Sequence, residues 1–131
     1  MKKLFDNLSV QATLDPKTHT TDTTGSDYID TQGYRDGMLV AVSGTIGTTT
    51  ADTYTVTLKE CDTTAGSYTS TGISLAFTAS EDNTVKLARI PELNLTRMRY
   101  LRADLTCSAT TISWIGTVAL VLGEADHGPI N

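Results

Sequence analysis

The sequence is poor in several features that define common protein classes. It has two cysteines and two histidines in 131 positions, and only 6% of its residues are aromatic. A compact domain of this length removes roughly two-thirds of its unfolded-chain surface from water, so it needs no disulfide or metal scaffold. Ten basic residues against fifteen acidic ones give a net charge of −5. Because no basic block is present, neither nucleic acid nor anionic lipid is expected as a partner.

Long apolar runs are also missing. The basic start of the chain is followed only by Leu4 and Phe5 before polar residues interrupt, so no secretory signal is predicted. The longest apolar stretches, residues 38–42 and 118–122 with five residues each, are far shorter than the ~20 residues that cross a bilayer. We therefore expect synthesis and folding in a cytoplasm and no membrane partner.

Threonine is abundant instead, with 25 residues in the chain. Its β-branched side chain suits pleated, half-exposed surfaces, and strong helix formers are scarce. Apolar and polar residues alternate over 54–58, 73–77 and 99–105, as is typical of strands with one buried face. Residues 38–42 are continuously apolar, which predicts a strand covered on both faces or bordering a sandwich core.

About eight such runs follow one another at the spacing of sandwiches and barrels. We predict one all-β domain over 1–131, an antiparallel β-sandwich that is jelly-roll-like, with extended N- and C-terminal arms. Residues 1–25 form an N-terminal arm and first strand, with 14–25 as a loop or extended arm. Residues 44–52 are predicted as a turn, 91–94 as a break with one helical turn, and 124–131 as a C-terminal tail.

Catalytic chemistry is not indicated. Nucleophilic catalysis needs a base held beside the nucleophile, and we expect His19 and His127 to be exposed in mobile segments. No serine stands in a GxSxG motif. Acidic residues such as Asp27 and Asp30 lie near strand ends, where they solvate and blunt sheet edges. We predict that the chain is not an enzyme and binds no cofactor.

Metal binding is not indicated either. Cys61 and Cys107 lie 46 positions apart without CxxC spacing, so two free thiols are the preferred interpretation and a disulfide is the alternative. Residues 81–83 lack the spaced ligands of a calcium loop, and we predict a turn there.

Positive charge is concentrated at Arg97, Arg99 and Arg102. Strand alternation places Arg99 and Arg102 on opposite faces, which argues against a continuous binding stripe. We expect these arginines to pair with nearby acids or with acids of another subunit, because arginine is enriched at interfaces. Trp114 lies in the most apolar strand and is predicted to be a core anchor rather than a sugar platform.

Several short blocks, read in order, resemble a known family. They are residues 7–10, 29–34, 38–42, 57–62, 66–68, 83–85 and 99–102. This order resembles the head decoration, or cement, proteins of tailed phages. The resemblance implies a β-sandwich subunit on the outer surface of the virion capsid, bound to the major capsid protein and self-associated, with a trimer favoured.

Candidate contact residues follow from this expectation. For the interface with the capsid or with another subunit we predict Leu4, Phe5, Leu8, Val10, Arg97, Arg99 and Arg102. The apolar members of this set either form an arm that pairs with a capsid or neighbour edge, or belong to the first strand of the subunit's own sheet.

Two other functions stay open at this point. One is a β-sandwich on the virion that binds carbohydrate or a host surface, with an aromatic platform drawn from Tyr54, Tyr68, Tyr100 and Trp114. The other is a head–tail joining or tail subunit.

Overall fold

The computed structural model describes residues 8–25, 27–46, 52–108 and 111–123. These ranges contain eight strands and no helix: β1 (Ser9–His19), β2 (Ile29–Asp30), β3 (Asp36–Ile46), β4 (Thr53–Cys61), β5 (Thr69–Thr78), β6 (Val85–Ile90), β7 (Tyr100–Ser108) and β8 (Trp114–Gly123). Sheet A has the order β1-β8-β3-β6 and sheet B the order β2-β7-β4-β5, and all neighbours are antiparallel. The predicted all-β class is confirmed.

The strand order is that of an eight-stranded jelly roll. Successive strands lie in opposite sheets except β4 and β5, which pair within sheet B; this two-Greek-key architecture is found in viral capsid and lectin domains. The sheets meet along both sides, where β1 contacts β7 and β5 contacts β6. The predicted jelly-roll-like sandwich is therefore confirmed.

The core lies between the sheets and is built from the alternating residues. Tyr54, Val56 and Leu58 point inward from β4 and are fully buried, as their spacing predicts. Trp114 is also fully buried, and its ring contacts Phe77 with centroids 5.9 Å apart. Complete burial of a large apolar side chain contributes roughly 1.5–3 kcal/mol. The prediction that Trp114 is a core anchor is confirmed.

The first strand is longer than predicted. The prediction of a loop or arm over residues 14–25 is wrong for its first part, because β1 continues to His19. The loop was predicted because of Pro16, but this proline lies on the edge strand β1, at a register shift between Leu14 and Lys17. Proline is tolerated there because its missing N–H interrupts no regular ladder.

Two predicted turns are also corrected. The turn predicted over 44–52 is wrong for residues 44–46, which continue β3, and residues 47–51 lie outside the described ranges. The chain does break after β6, but not with a helical turn. Glu92 and Asn94 adopt φ of 62° and 59°, in the left-handed region that a right-handed helix excludes.

Candidate functional site

His19 is packed at the edge of the core. It was predicted to be exposed, but it ends β1 and is only 2% exposed. Its Nδ1 and Nε2 lie 3.3 Å from Thr23 Oγ1 and 3.2 Å from Asp15 O, and its ring contacts Trp114. Because both ring nitrogens have partners, the imidazole is part of the packed edge of the core. His127 lies outside the described residues.

Other sources of chemistry are structural as well. Within the described ranges, no three His, Cys, Asp or Glu side chains converge as a metal site. Asp82 Oδ1 accepts a hydrogen bond from Ile46 N at 2.7 Å, and Glu81 Oε2 accepts one from Thr78 N at 2.8 Å, which confirms the predicted turn. No helix with the length and apolarity to cross a membrane occurs in the part of the chain that the structure describes.

The outer face of sheet B carries an aromatic and charged group that we call the Tyr–Arg cluster. Its members are Tyr28, Tyr68, Arg99, Tyr100 and Arg102. The Tyr28 and Tyr100 rings meet at 89° with centroids 5.6 Å apart. The Arg99 guanidinium lies 5.1 Å from the Tyr100 ring centroid, and that of Arg102 lies 4.2 Å from the Tyr68 centroid. Cation–π contacts of this kind stabilise by about 0.5–1 kcal/mol at exposed sites.

The prediction that Arg99 and Arg102 point to opposite faces is wrong. β7 begins at Tyr100, so Arg99 precedes the strand and does not follow its alternation. Arg99 Nε and Nη2 instead donate to the Asp30 carboxylate at 2.9 and 2.8 Å. Because Asp30 is directly paired with Tyr100, this contact holds the Arg99 guanidinium over the Tyr100 ring on the outer face of sheet B, the face that also carries Arg102.

The predicted pairing of the arginines with acids of this chain is confirmed. Arg102 Nε and Lys59 Nζ each lie 3.0 Å from the Asp104 carboxylate, which also accepts a hydrogen bond from Gly25 N. Arg97 is separate from the cluster: it lies 3.7 Å from Glu60 and donates to Thr71 O.

These contacts shift the pKa values of Asp30 and Asp104, the carboxylates that pair with the arginines of the cluster. The hydrogen bonds from Arg99 hold the pKa of Asp30 below its ordinary value. Burial raises the pKa of Asp104, but the hydrogen bonds from Gly25, Lys59 and Arg102 outweigh burial, and the net pKa is lowered. Both carboxylates therefore favour the charged form in the folded chain.

Acid should destabilise the fold through these groups. A carboxyl group whose folded pKa lies below its unfolded value of about 3.9 stabilises the fold above that pH and loses this effect as the pH falls through the folded pKa. We expect the urea midpoint of the wild-type protein to be lower at pH 3 than at pH 5. The decrease should be smaller in Asp104→Asn. Equilibrium urea unfolding at the two pH values checks this. Equal falls in both proteins would contradict it.

The outer face of sheet A is apolar across all four strands, and we call it the apolar face. Its members are Val10, Ala12, Met38, Val40, Val42, Val85, Leu87, Ile115, Ala119 and Val121. The strand register aligns Val10 with Val121 and Met38 in one row, which ends at Arg89 on β6. It aligns Ala12 with Ala119, Val40 and Leu87 in the next row, which is apolar on all four strands. Val10, Val85 and Leu87 are 65%, 57% and 56% exposed. No other described strand packs on this face.

The apolar face explains the continuous run at 38–42. Leu39 and Ala41 face the core and are fully buried, while Met38, Val40 and Val42 face outward. The core therefore covers the inner face of β3. No strand in the described ranges covers its outer face. Contiguous exposed apolar surface of this kind marks sites of protein association.

The apolar residues predicted as contacts do not all lie on one described surface. Val10 belongs to the apolar face, and Leu8, 39% exposed, lies immediately before β1. Because β1 is paired with β8, residues 9–19 form the first strand of the chain's own sheet rather than a free arm. Leu4 and Phe5 lie outside the described residues, as does the predicted tail 124–131.

The predicted aromatic platform is wrong in half of its members. Tyr54 and Trp114 are fully buried, because both lie on the inward side of their strands. Tyr68 and Tyr100 belong to the Tyr–Arg cluster. Sequence reasoning missed Tyr28, which is 51% exposed; its position immediately before the inward-facing Ile29 of β2 was the available signal.

Both cysteines are free thiols, as predicted. Across β4 and β7, Cys61 pairs with Tyr100 and Cys107 with Tyr54. Tyr54 and Cys61 are seven positions apart on β4 (61 − 54), which is roughly 23 Å along a strand. A disulfide requires Cα atoms within about 7 Å, so these cysteines cannot bond within one chain.

Cys107 should react slowly. Burial, together with the nearby Asp22 charge, raises its pKa to about 11. Because the thiolate is the reactive form, we expect alkylation of native Cys107 at pH 8 to be about 100-fold slower than that of an unfolded cysteine. Iodoacetamide labelling followed by peptide mass spectrometry, with and without urea, measures this ratio. Equal rates in the two conditions would contradict the burial of the thiol.

No protein-family model and no curated protein matches this sequence. Solved structures with a similar fold include viral ones. The structure of the infectious bursal disease virus Gx strain superposes with a TM-score of 0.50 and 12% identity over 92% of this chain and 32% of that chain. The crystal structure of the infectious bursal disease virus VP2 subviral particle superposes with a TM-score of 0.52 and 15% identity over 91% of this chain and 32% of that chain.

This chain thus spans about a third of the length of each of these two viral chains. Identities of 12% and 15% establish a shared fold and nothing finer. A family two carbohydrate esterase from Cellvibrio japonicus superposes with a TM-score of 0.33 and 10% identity over 92% of this chain and 35% of that chain, a likeness too distant to bear on function.

Proposed function

We propose that this chain is a structural protein of a virus particle, and specifically a decoration protein on the outer surface of a tailed-phage head. The observation that carries the proposal is the apolar face, a four-stranded surface that no other described strand covers. Such a surface needs a protein partner, whereas the described residues hold no convergent catalytic group. The fold shared with viral capsid proteins supports the same class of function.

Copies of this chain are the proposed partner for the apolar face. An exposed sheet of valine and leucine favours aggregation as soon as the chain folds, so its cover must be present where the chain is made. Interfaces of permanent homo-oligomers are the more apolar class, which fits a face without charge at its centre. The resemblance to decoration proteins makes a trimer the proposed state.

The oligomer would then bind the major capsid protein at several points at once. Weak single contacts become strong together when one rigid body presents several of them. Leu4, Phe5 and Leu8 remain proposed contacts of this kind. Arg97, Arg99 and Arg102 remain predicted contacts, but each already pairs with an acid of its own chain, so capsid binding would have to add to those pairs.

Heat release of DNA from phage heads tests the decorating role. Heads that lack this protein should release DNA at a lower temperature, and adding the purified protein should restore the release temperature. Leu87→Asp should fail to restore it, whereas Ser74→Asp, on the outer face of sheet B, should succeed. Heads with unchanged release temperature would overturn the stabilising role. Closed rings of the pure protein in electron micrographs would support a head–tail or tail subunit instead.

A further inference from the structure

We propose that the Tyr–Arg cluster is a binding site for a neutral carbohydrate. This site lies on the face of the sandwich opposite the apolar face and does not depend on the proposed decorating role. Tyr28 and Tyr100 meet at 89°, with about half of Tyr28 exposed. Two perpendicular rings form a corner in which the apolar C–H face of a sugar ring packs on one tyrosine while the other closes its side.

The corner is held in place before a ligand arrives. Arg99 stacks on Tyr100 and Arg102 on Tyr68, and both guanidinium groups are fixed by two hydrogen bonds to a carboxylate. Asp104, the anchor of Arg102, is almost completely buried. Because these side chains are already ordered, little conformational entropy is lost when a ligand binds.

The polar groups suit hydroxyls rather than an anion. A sugar hydroxyl donates one hydrogen bond and accepts others, and the cluster places the guanidinium N–H donors of Arg99 directly beside the acceptor oxygens of Asp30, whose side chain is 43% exposed. Asp30 neutralises Arg99, and Asp104 is shared between Arg102 and Lys59, so these ion pairs leave one positive charge on a chain whose net charge is −5. An anionic ligand would gain little attraction and would face the carboxylates.

A protein partner fits this face less well. The centres of protein interfaces are depleted of charged residues, whereas Asp104 pairs with Arg102 and Lys59 on the two central strands of this sheet, and Asp30 pairs with Arg99 at its edge. The strand residues beyond the cluster add threonine and serine side chains, namely Thr55, Thr57 and Ser74. The continuous apolar surface that a protein would use lies on the other sheet.

An array of immobilised oligosaccharides tests the site. The wild-type protein should bind at least one neutral oligosaccharide more strongly than any acidic one. Calorimetry with that oligosaccharide should then show an affinity loss of about tenfold in Tyr28→Ala. Tyr28→Phe should stay within about threefold, because it keeps the ring. Thr55→Ala, on the same face beyond the cluster, should bind as the wild type does.

The outcomes separate this site from the decorating role. Tyr28 is exposed, so circular dichroism should show that Tyr28→Ala folds normally, and it should still protect heads against heat. Absence of binding to every oligosaccharide would overturn the proposal. Preference for acidic oligosaccharides, binding unchanged in Tyr28→Ala, or binding of this face only to a protein would do the same.

Discussion

Leu87→Asp should convert the self-associated protein into folded monomers. Leu87 lies in the row that crosses all four strands of sheet A, between the outer edge and Val40. If a second copy covers this row, each interface must bury a carboxylate that has no partner, which costs several kcal/mol. We expect the dissociation constant to rise by at least about 100-fold, which corresponds to about 2.7 kcal/mol. Sedimentation equilibrium over a range of concentrations measures it.

The monomer should be as stable as the wild-type subunit at low concentration. Leu87 is 56% exposed in the isolated chain, so its replacement removes little core packing. Ser74→Asp introduces the same charge on an exposed strand position of the other sheet and should leave association unchanged. An unaltered dissociation constant in Leu87→Asp would show that the apolar face is not the contact between copies.

Asp104→Ala should be the most destabilising substitution of a charged residue. The carboxylate serves Arg102, Lys59 and the Gly25 N–H at once, and it is almost completely buried. Removing it leaves two partly buried cations and a buried N–H without their acceptor. Breaking a buried ion pair costs 3–5 kcal/mol. We expect a loss of about 3 kcal/mol in the free energy of unfolding, because both cations keep some contact with water.

Asp36→Ala supplies the matched control. Asp36 pairs with Arg89 at 3.1 Å, but this pair lies at the surface. Exposed ion pairs contribute about 0–1 kcal/mol, so Asp36→Ala should lose no more than about 1 kcal/mol. Urea unfolding at pH 7 compares the two variants. Equal losses would contradict the special role of the buried Asp104 network.

The sandwich could be predicted because its strands bury one face. Alternation at 54–58 and 73–77 follows directly from the two-residue period of a strand, and the structure has the apolar member of each pair inside. The exceptions are local. Pro16 and the polar residues around it look like a loop, yet an edge strand with a bulge accommodates them because only one side needs hydrogen bonds.

The interaction surfaces were harder to predict, because they depend on which strands become neighbours. The two-residue spacing of Val85 and Leu87 puts both on one face of a strand, but only the register with Val40 and Ala119 makes that face continuous. Arg99 was misplaced for a related reason. Its side-chain direction is fixed by Asp30, 69 positions away, and not by the alternation of β7. Long-range pairing of this kind leaves no local pattern in the sequence.

An electron cryomicroscopy map of decorated heads measures the orientation of this chain most directly. The outer side of sheet A should be packed against neighbouring copies, with Leu87 and Val85 inaccessible to solvent. The side of sheet B that carries Tyr28 should face outward. A map in which Leu87 and Val85 face solvent, or in which the chain is absent from the head, would contradict the assignment of this protein as a self-associating structural subunit.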